Sequence, residues 1–153
     1  MEEKVFDPIR QSYVPAFPEE IIRQKLILHM IQLGYPKDFI SVEVDLLSLP
    51  HLSCMDFPSK KRRADLICFA KGIHKKYELY PLLLVECKAV ALTENVVQQV
   101  VGYNHFIRSY FVAIANEEKI QTICYDRKKK ENISIDFLPS FNEILLAAKK
   151  SIL

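Results

Sequence analysis

The chain has 153 residues, half of them hydrophobic, and a formal net charge of only +2 at neutral pH. That is enough apolar material for one compact domain with its own core, expected to span residues 1–153, and the charge allows a nucleic-acid partner without arguing for one. No apolar run reaches membrane length and the opening MEEKVFDPIR is too polar for a signal peptide, so a cytoplasmic protein with no membrane partner is expected.

Taken in chain order, residues 18–33 read as an amphipathic helix. Pro18 suits the first helical position, Glu19 and Glu20 complement the dipole, and Ile22, Leu26, Met30 and Leu33 form an apolar stripe that Gly34 and Pro36 end. SVEVDLL (41–47) alternates apolar and acidic residues, as a half-exposed strand does, with Glu43 and Asp45 on its outer face. Residues 48–62 show no period and read as a loop that ends in the basic run Lys60, Lys61, Arg62 and Arg63. ADLICFA (64–70) is a strand, and a polar connection around Gly72 leads to the next, PLLLVECKA (81–89). Thr93 is placed to cap a helix over 94–108 that carries Val96, Val97, Val100, Val101 and Ile107 at helical spacing. Strands follow at 111–116, 119–126 and 132–138. Ser140 and Glu143 then make a capping box for a last helix with Ile144, Leu145 and Ala148 inward. The succession predicts an α/β (α+β) domain with a central mixed β-sheet flanked by helices.

Several chemistries are excluded at this level. Three glycines cannot build a phosphate-cradling loop, so there is no Walker-type ATP site. Cys54, Cys68, Cys87 and Cys124 lack zinc-site spacing and read as small core residues, and His29, His51, His74 and His105 are equally scattered.

The informative stretch is LLLVECKAV (82–90), an apolar strand that ends in Glu86 and Lys88. Side chains alternate along a strand, so these two share a face and Cys87 takes the other. If the strand over 64–70 is its antiparallel neighbour, Asp65 at the start of one lies beside Glu86 at the end of the other. Two carboxylates ~4 Å apart repel by about 4 kcal/mol at an effective dielectric near 20, which demands a cation. Lys88 is one candidate. A divalent metal on the carboxylate oxygens, able to activate a water against a phosphodiester, is a better one. The competing reading of Glu86 and Lys88 is an ordinary ion pair at a strand end, which contributes little.

The combination of P-E-E-I-I-R-Q (18–24), A-D-L-I (64–67), L-L-V-E-C-K-A (83–89) and Q-V-V-G-Y (99–103) resembles the PD-(D/E)xK nuclease superfamily. Within it the chain is most similar to the amino-terminal nuclease domain of the motor (HsdR-type) subunit of type I restriction enzymes. The resemblance implies a restriction-endonuclease-like fold and a metal-dependent DNA endonuclease using Mg²⁺ or Mn²⁺, with DNA and further protein subunits as partners. It implies Asp65 and Glu86 as metal ligands with the Cys87 main-chain carbonyl, Glu20 (ahead of Glu19) reaching the metal through water, and Lys88 as the catalytic lysine. Gln99 and Tyr103 would position the site or the DNA. The basic run Lys60, Lys61, Arg62 and Arg63, just before Asp65, is placed to meet phosphates. Two departures stand out: Ala64 replaces the proline of the superfamily's name, and with no helicase motor in the sequence, ATP-driven translocation is not carried over. A non-catalytic nucleic-acid-binding or assembly module on the same fold is the alternative reading.

Overall fold

The computed structural model describes residues 2–52 and 63–151. A hairpin of β1 (Lys4–Asp7) and β2 (Ser12–Pro15) leads into helix α1 (Pro18–Gln32). Strands β3 (Ile40–Asp45), β4 (Arg63–Lys71) and β5 (Leu79–Cys87) follow, then helix α2 (Glu94–Ile107), strands β6 (Phe111–Ala115), β7 (Ile120–Asp126) and β8 (Glu131–Ile135), and helix α3 (Phe141–Lys150). Six of the strands form one sheet in the order β3-β4-β5-β6-β7-β8. Every neighbouring pair in it is antiparallel except β5 and β6, which α2 connects as a parallel crossover. The result is the expected α+β class with a mixed sheet, consistent with a restriction-endonuclease-like fold.

Helices cover both faces. Ile22, Leu26, Ile27 and Met30 of α1, with Ile144 and Ala148 of α3, pack on Leu66, Cys68, Leu83 and Val85. Val100 and Ile107 of α2 pack on Ile67, Leu84, Val112 and Ile114 on the other side. The continuous apolar run of β5 follows from this: a strand with helices on both faces has no outward side, and Tyr80 to Cys87 are all buried. No helix is long and apolar enough to cross a membrane.

The local signals act as their chemistry requires. Gly34, with φ of 88°, follows α1 at the point where the chain reverses. The Thr93 hydroxyl accepts from the Val96 N–H, and Ser140 with Glu143 forms a complete capping box. Three expectations shift. The stretch expected as strand to 47 leaves the sheet at Asp45, whose carboxylate accepts the Leu47 N–H and starts a short 3₁₀ turn over Leu46–Ser48. The expected loop from 48 carries a second 3₁₀ turn over Pro50–Leu52, and its remainder, 53–62, lies outside the described residues together with Cys54. Strand β8 stops at Ile135, yet Leu138 is still buried because Thr122 holds the Phe137 carbonyl at 2.7 Å. The β1–β2 hairpin has no counterpart in the sequence reading, since two four-residue strands are too short to show a period.

At the end of the sheet where β5 begins, aromatic side chains close the core. The Tyr80 hydroxyl donates to the Arg108 carbonyl at 2.8 Å, the His74 ring stacks on Tyr80, and the His51 ring meets the Ile107 carbonyl at 2.6 Å. Both histidines are thus engaged in packing.

The buried Tyr35 hydroxyl donates to the Pro139 carbonyl at 2.8 Å, which ties the exit of α1 to the entry of α3. Tyr35→Phe leaves that carbonyl unpaired and is expected to cost about 1–2 kcal/mol by urea unfolding. A change within error would show that the tie contributes nothing.

Candidate active site

The site grows out of the β4–β5 register. Leu66 pairs with Val85, so the next step along the ladder sets Asp65 opposite Glu86. Leu66 and Val85 belong to the core under α1, while Ile67 and Leu84 belong to the core under α2. By alternation Glu86 turns toward α2, whereas Ala64 and Leu66 lie in opposite cores, so the alternation breaks at Asp65, whose carboxylate reaches Arg23 of α1. Asp65 is held rigidly: its Oδ2 accepts the Cys87 N–H at 2.8 Å. Glu86 is 0 % exposed. Lys88 is half-buried one residue beyond β5, and its N–H donates to the Ala115 carbonyl at 2.8 Å, which holds the main chain against β6.

From α2, the Tyr103 hydroxyl donates to the Arg63 carbonyl at 3.3 Å. Burial above all, and then the negative charges of Glu86 and Asp65, push the Tyr103 phenol above its usual range. This ring therefore lies within electrostatic reach of both carboxylates. Gln99 is exposed on α2, one helical turn before Tyr103. Arg63 is exposed at the first position of β4, while Lys60, Lys61 and Arg62 lie outside the described residues.

Glu20, from the first turn of α1, is joined to Asp65 by a residue that the sequence reading did not single out. The Arg23 Nη2 is 3.3 Å from Asp65 Oδ1, and its Nη1 is 3.3 Å from Glu20 Oε2 and 3.5 Å from Glu43 Oε1. The Arg23 side chain is only 8 % exposed. Glu20 also accepts from Arg10 Nη2, and Arg10 Nε in turn donates to the fully buried Asp7. Charges of alternating sign thus run from the hairpin through α1 to the sheet. Glu19 is exposed. A cue for Arg23 was present in the sequence: it stands beside Ile22 and four residues before Ile27, a basic residue inside an apolar stripe.

Glu43 is exposed, as expected for the outer face of its strand, yet the strand does not alternate regularly around it. Val42 pairs with Leu66 and Val44 with Ala64, so Glu43 stands opposite Asp65. Val42 packs with the core under α1 and Val44 with the core under α2, which means the alternation breaks at Glu43. Its φ of 49° is the cause. A glutamate in this left-handed region costs on the order of 1–3 kcal/mol, and the turned backbone brings its carboxylate within ion-pair distance of Arg23. Asp45 is exposed as expected.

A metal fits this donor set. Among the described residues no three His, Cys, Asp or Glu side chains form a ready-made cage. Mg²⁺ needs none, since it binds through one or two carboxylates and keeps several waters and phosphate oxygens. Asp65, Glu86 and the Cys87 carbonyl supply such hard oxygens. The Cys87 side chain packs in the core under α1, where burial, and after it the Asp65 charge, push its thiol upward.

An α+β domain with a mixed sheet and a carboxylate pair at the end of its buried strand is the architecture of a restriction-enzyme nuclease-type domain. The chain belongs to the family described as type I restriction enzyme R protein N terminus (HSDR_N), whose model matches residues 18–141. No curated protein and no solved structure matches it. The β1–β2 hairpin, with Asp7 and Arg10, precedes the matched region.

Asp7 gives a pH test of the charged chain. Its burial opposes ionisation, but the Arg10 side chain and the Arg10 and Ile9 N–H groups outweigh that and hold it below the usual carboxylate range. A depressed pKa stabilises the fold fully above the unfolded value, and the contribution is lost as pH falls through the folded one. Asp7→Asn is therefore expected to lower stability at pH 7, with the gap to wild type closing below about pH 4. A gap that is constant from pH 7 to pH 3 in urea unfolding would refute this.

Proposed function

We propose that the domain, as one unit over residues 1–153, is a Mg²⁺- or Mn²⁺-dependent deoxyribonuclease that hydrolyses phosphodiester bonds. The observation that carries this reading is the Asp65 carboxylate, pinned by the Cys87 N–H opposite a fully buried Glu86. A module that only binds an anionic ligand gains nothing from two opposed carboxylates, whereas a metal site requires them. Asp65, Glu86 and the Cys87 carbonyl would hold the ion, with Glu20 reaching it through water. When bound, such an ion polarises the scissile phosphate and lowers the pKa of an attacking water.

The chain's own groups do the rest. Lys88 orients the water and compensates charge developing on the phosphate. Tyr103 and Gln99 face the substrate from α2 and fix the phosphate's position relative to the carboxylates. Arg63, with Lys60, Lys61 and Arg62, meets the DNA backbone at the start of β4. Further subunits of a restriction system are the natural source of sequence recognition, which no residue named here supplies.

Cleavage of single-stranded, nicked, branched and duplex DNA with Mg²⁺ and Mn²⁺ tests the proposal. Activity should vanish with EDTA and fall at least ~10²-fold in each of Asp65→Ala, Glu86→Ala and Lys88→Ala, the scale of losing one positioned catalytic group. Robust cleavage by Glu86→Ala would end it. A wild type that binds DNA but neither metal nor cleaves it would establish the non-catalytic module instead.

Folding measurements give a separate view of the same site. Glu86→Gln should leave metal-free stability unchanged or raise it by about 1 kcal/mol, and should remove the stabilisation that Mn²⁺ gives the wild type. A large loss of metal-free stability would mark Glu86 as a structural ion-pair partner.

A further inference from the structure

Arg23 occupies the place that an arriving cation needs. Its guanidinium cannot lose its charge, and it reaches carboxylates from three elements: Glu20 of α1, Glu43 of β3 and Asp65 of β4. None of these contacts is shorter than 3.3 Å, beyond the ~2.7–2.9 Å of a tight charge-assisted bond. The Arg23 Nε is buried and finds no acceptor among the described residues. The group is therefore enclosed and neutralising without being locked. It rests on Asp65 Oδ1, the oxygen that the Cys87 N–H leaves open. A divalent ion on that oxygen would meet the guanidinium there, and the repulsion between the two cations sets them in competition for Asp65.

We propose that Arg23 is a displaceable counter-ion, which neutralises the site when no metal is bound and passes from Asp65 to Glu43 when one binds. This rests on the metal-dependent reading above. Glu43 is suited to receive it. It stands opposite Asp65, its side chain is 46 % exposed and has room to turn, and its unfavourable backbone conformation already brings its carboxylate to Arg23. Glu20 is less free to do so, because it already accepts from Arg10 and Gln24. Metal loading and guanidinium transfer are then one coupled step. The affinity measured is that of the ion less the work of moving Arg23.

Titration calorimetry with Mn²⁺, checked by the spin-resonance signal of the free ion, tests this on the whole chain. Four proteins are compared: wild type, Arg23→Met, Glu43→Gln and the double variant. Arg23→Met should bind Mn²⁺ about tenfold more tightly, since the competing cation is gone, and Glu43→Gln should bind about fivefold more weakly, since Arg23 has nowhere to go. In the Arg23→Met background Glu43→Gln should then change nothing, a non-additivity that a merely structural role does not produce. Equal or weaker binding by Arg23→Met would overturn the proposal. So would a Glu43→Gln effect of the same size in both backgrounds, which would make Glu43 a direct ligand. Absence of Mn²⁺ binding in all four proteins would remove the metal-dependent reading, and the counter-ion role with it. Should Arg23→Met fail to fold, Arg23→Gln replaces it. A neutral amide leaves no cation to pass to Glu43, so the Glu43→Gln effect should disappear in that background also.

Discussion

Two carboxylates set on neighbouring strands, at the end of a strand buried on both sides, form the constraint around which this domain is organised. Asp65 and Glu86 come to adjoining positions because β4 and β5 are antiparallel with Leu66 paired to Val85. Sliding that register by one residue would turn the apolar side chains of β5 from one helix layer to the other. The placement of the two carboxylates is thus held by the hydrophobic core itself. Charge is returned to Asp65 from outside the strand pair by Arg23 of α1, and the Cys87 main-chain N–H donates to the same carboxylate.

Helix α1 serves two ends with its two faces. Leu26, Ile27 and Met30 seat it on the sheet, and that seating fixes where its first turns lie. Those turns carry Glu20 and Arg23 to the carboxylate end. The hairpin before α1 continues the alternation of sign through Arg10 and Asp7. Buried ionic groups of this kind are weak contributors to net stability, because their desolvation offsets their attraction. Their effect is on geometry: the carboxylates of Glu20, Glu43 and Asp65 are gathered round one guanidinium instead of dispersing into solvent.

Such a site is poised and not relaxed. Glu43 adopts a backbone conformation that glutamate disfavours, and the buried Arg23 Nε lacks an acceptor among the described residues. Strain and unmet polar groups of this sort concentrate where a fold keeps a function, since packing alone would have removed them. The opposite end of β5 shows the contrast. There Tyr80, His74 and His51 close the core with stacked rings and satisfied hydroxyls, as stability alone would arrange it.

How much of this was legible in the residues follows from the range of the forces involved. The three helices, the end of α1 at Gly34, the Thr93 cap and the Ser140–Glu143 box are set by neighbours within a turn, so their sequence signals are complete. The apolar run that ends in Glu86 likewise marks β5 as a buried strand without reference to any other strand. The short hairpin, the burial of Arg23 and the turned backbone at Glu43 were not legible, because none is decided locally. Asp45 and Glu43 look alike in an alternating strand, and only the pairing across β3, β4 and β5 sets Glu43 beside Asp65 while Asp45 caps a turn. The sequence by itself determined most of the segments that are helix or strand, because those signals are local. The tertiary structure alone decided which cation the carboxylates of Glu20, Glu43 and Asp65 share, since that depends on how α1 is rotated on the sheet, and the whole apolar core sets that rotation.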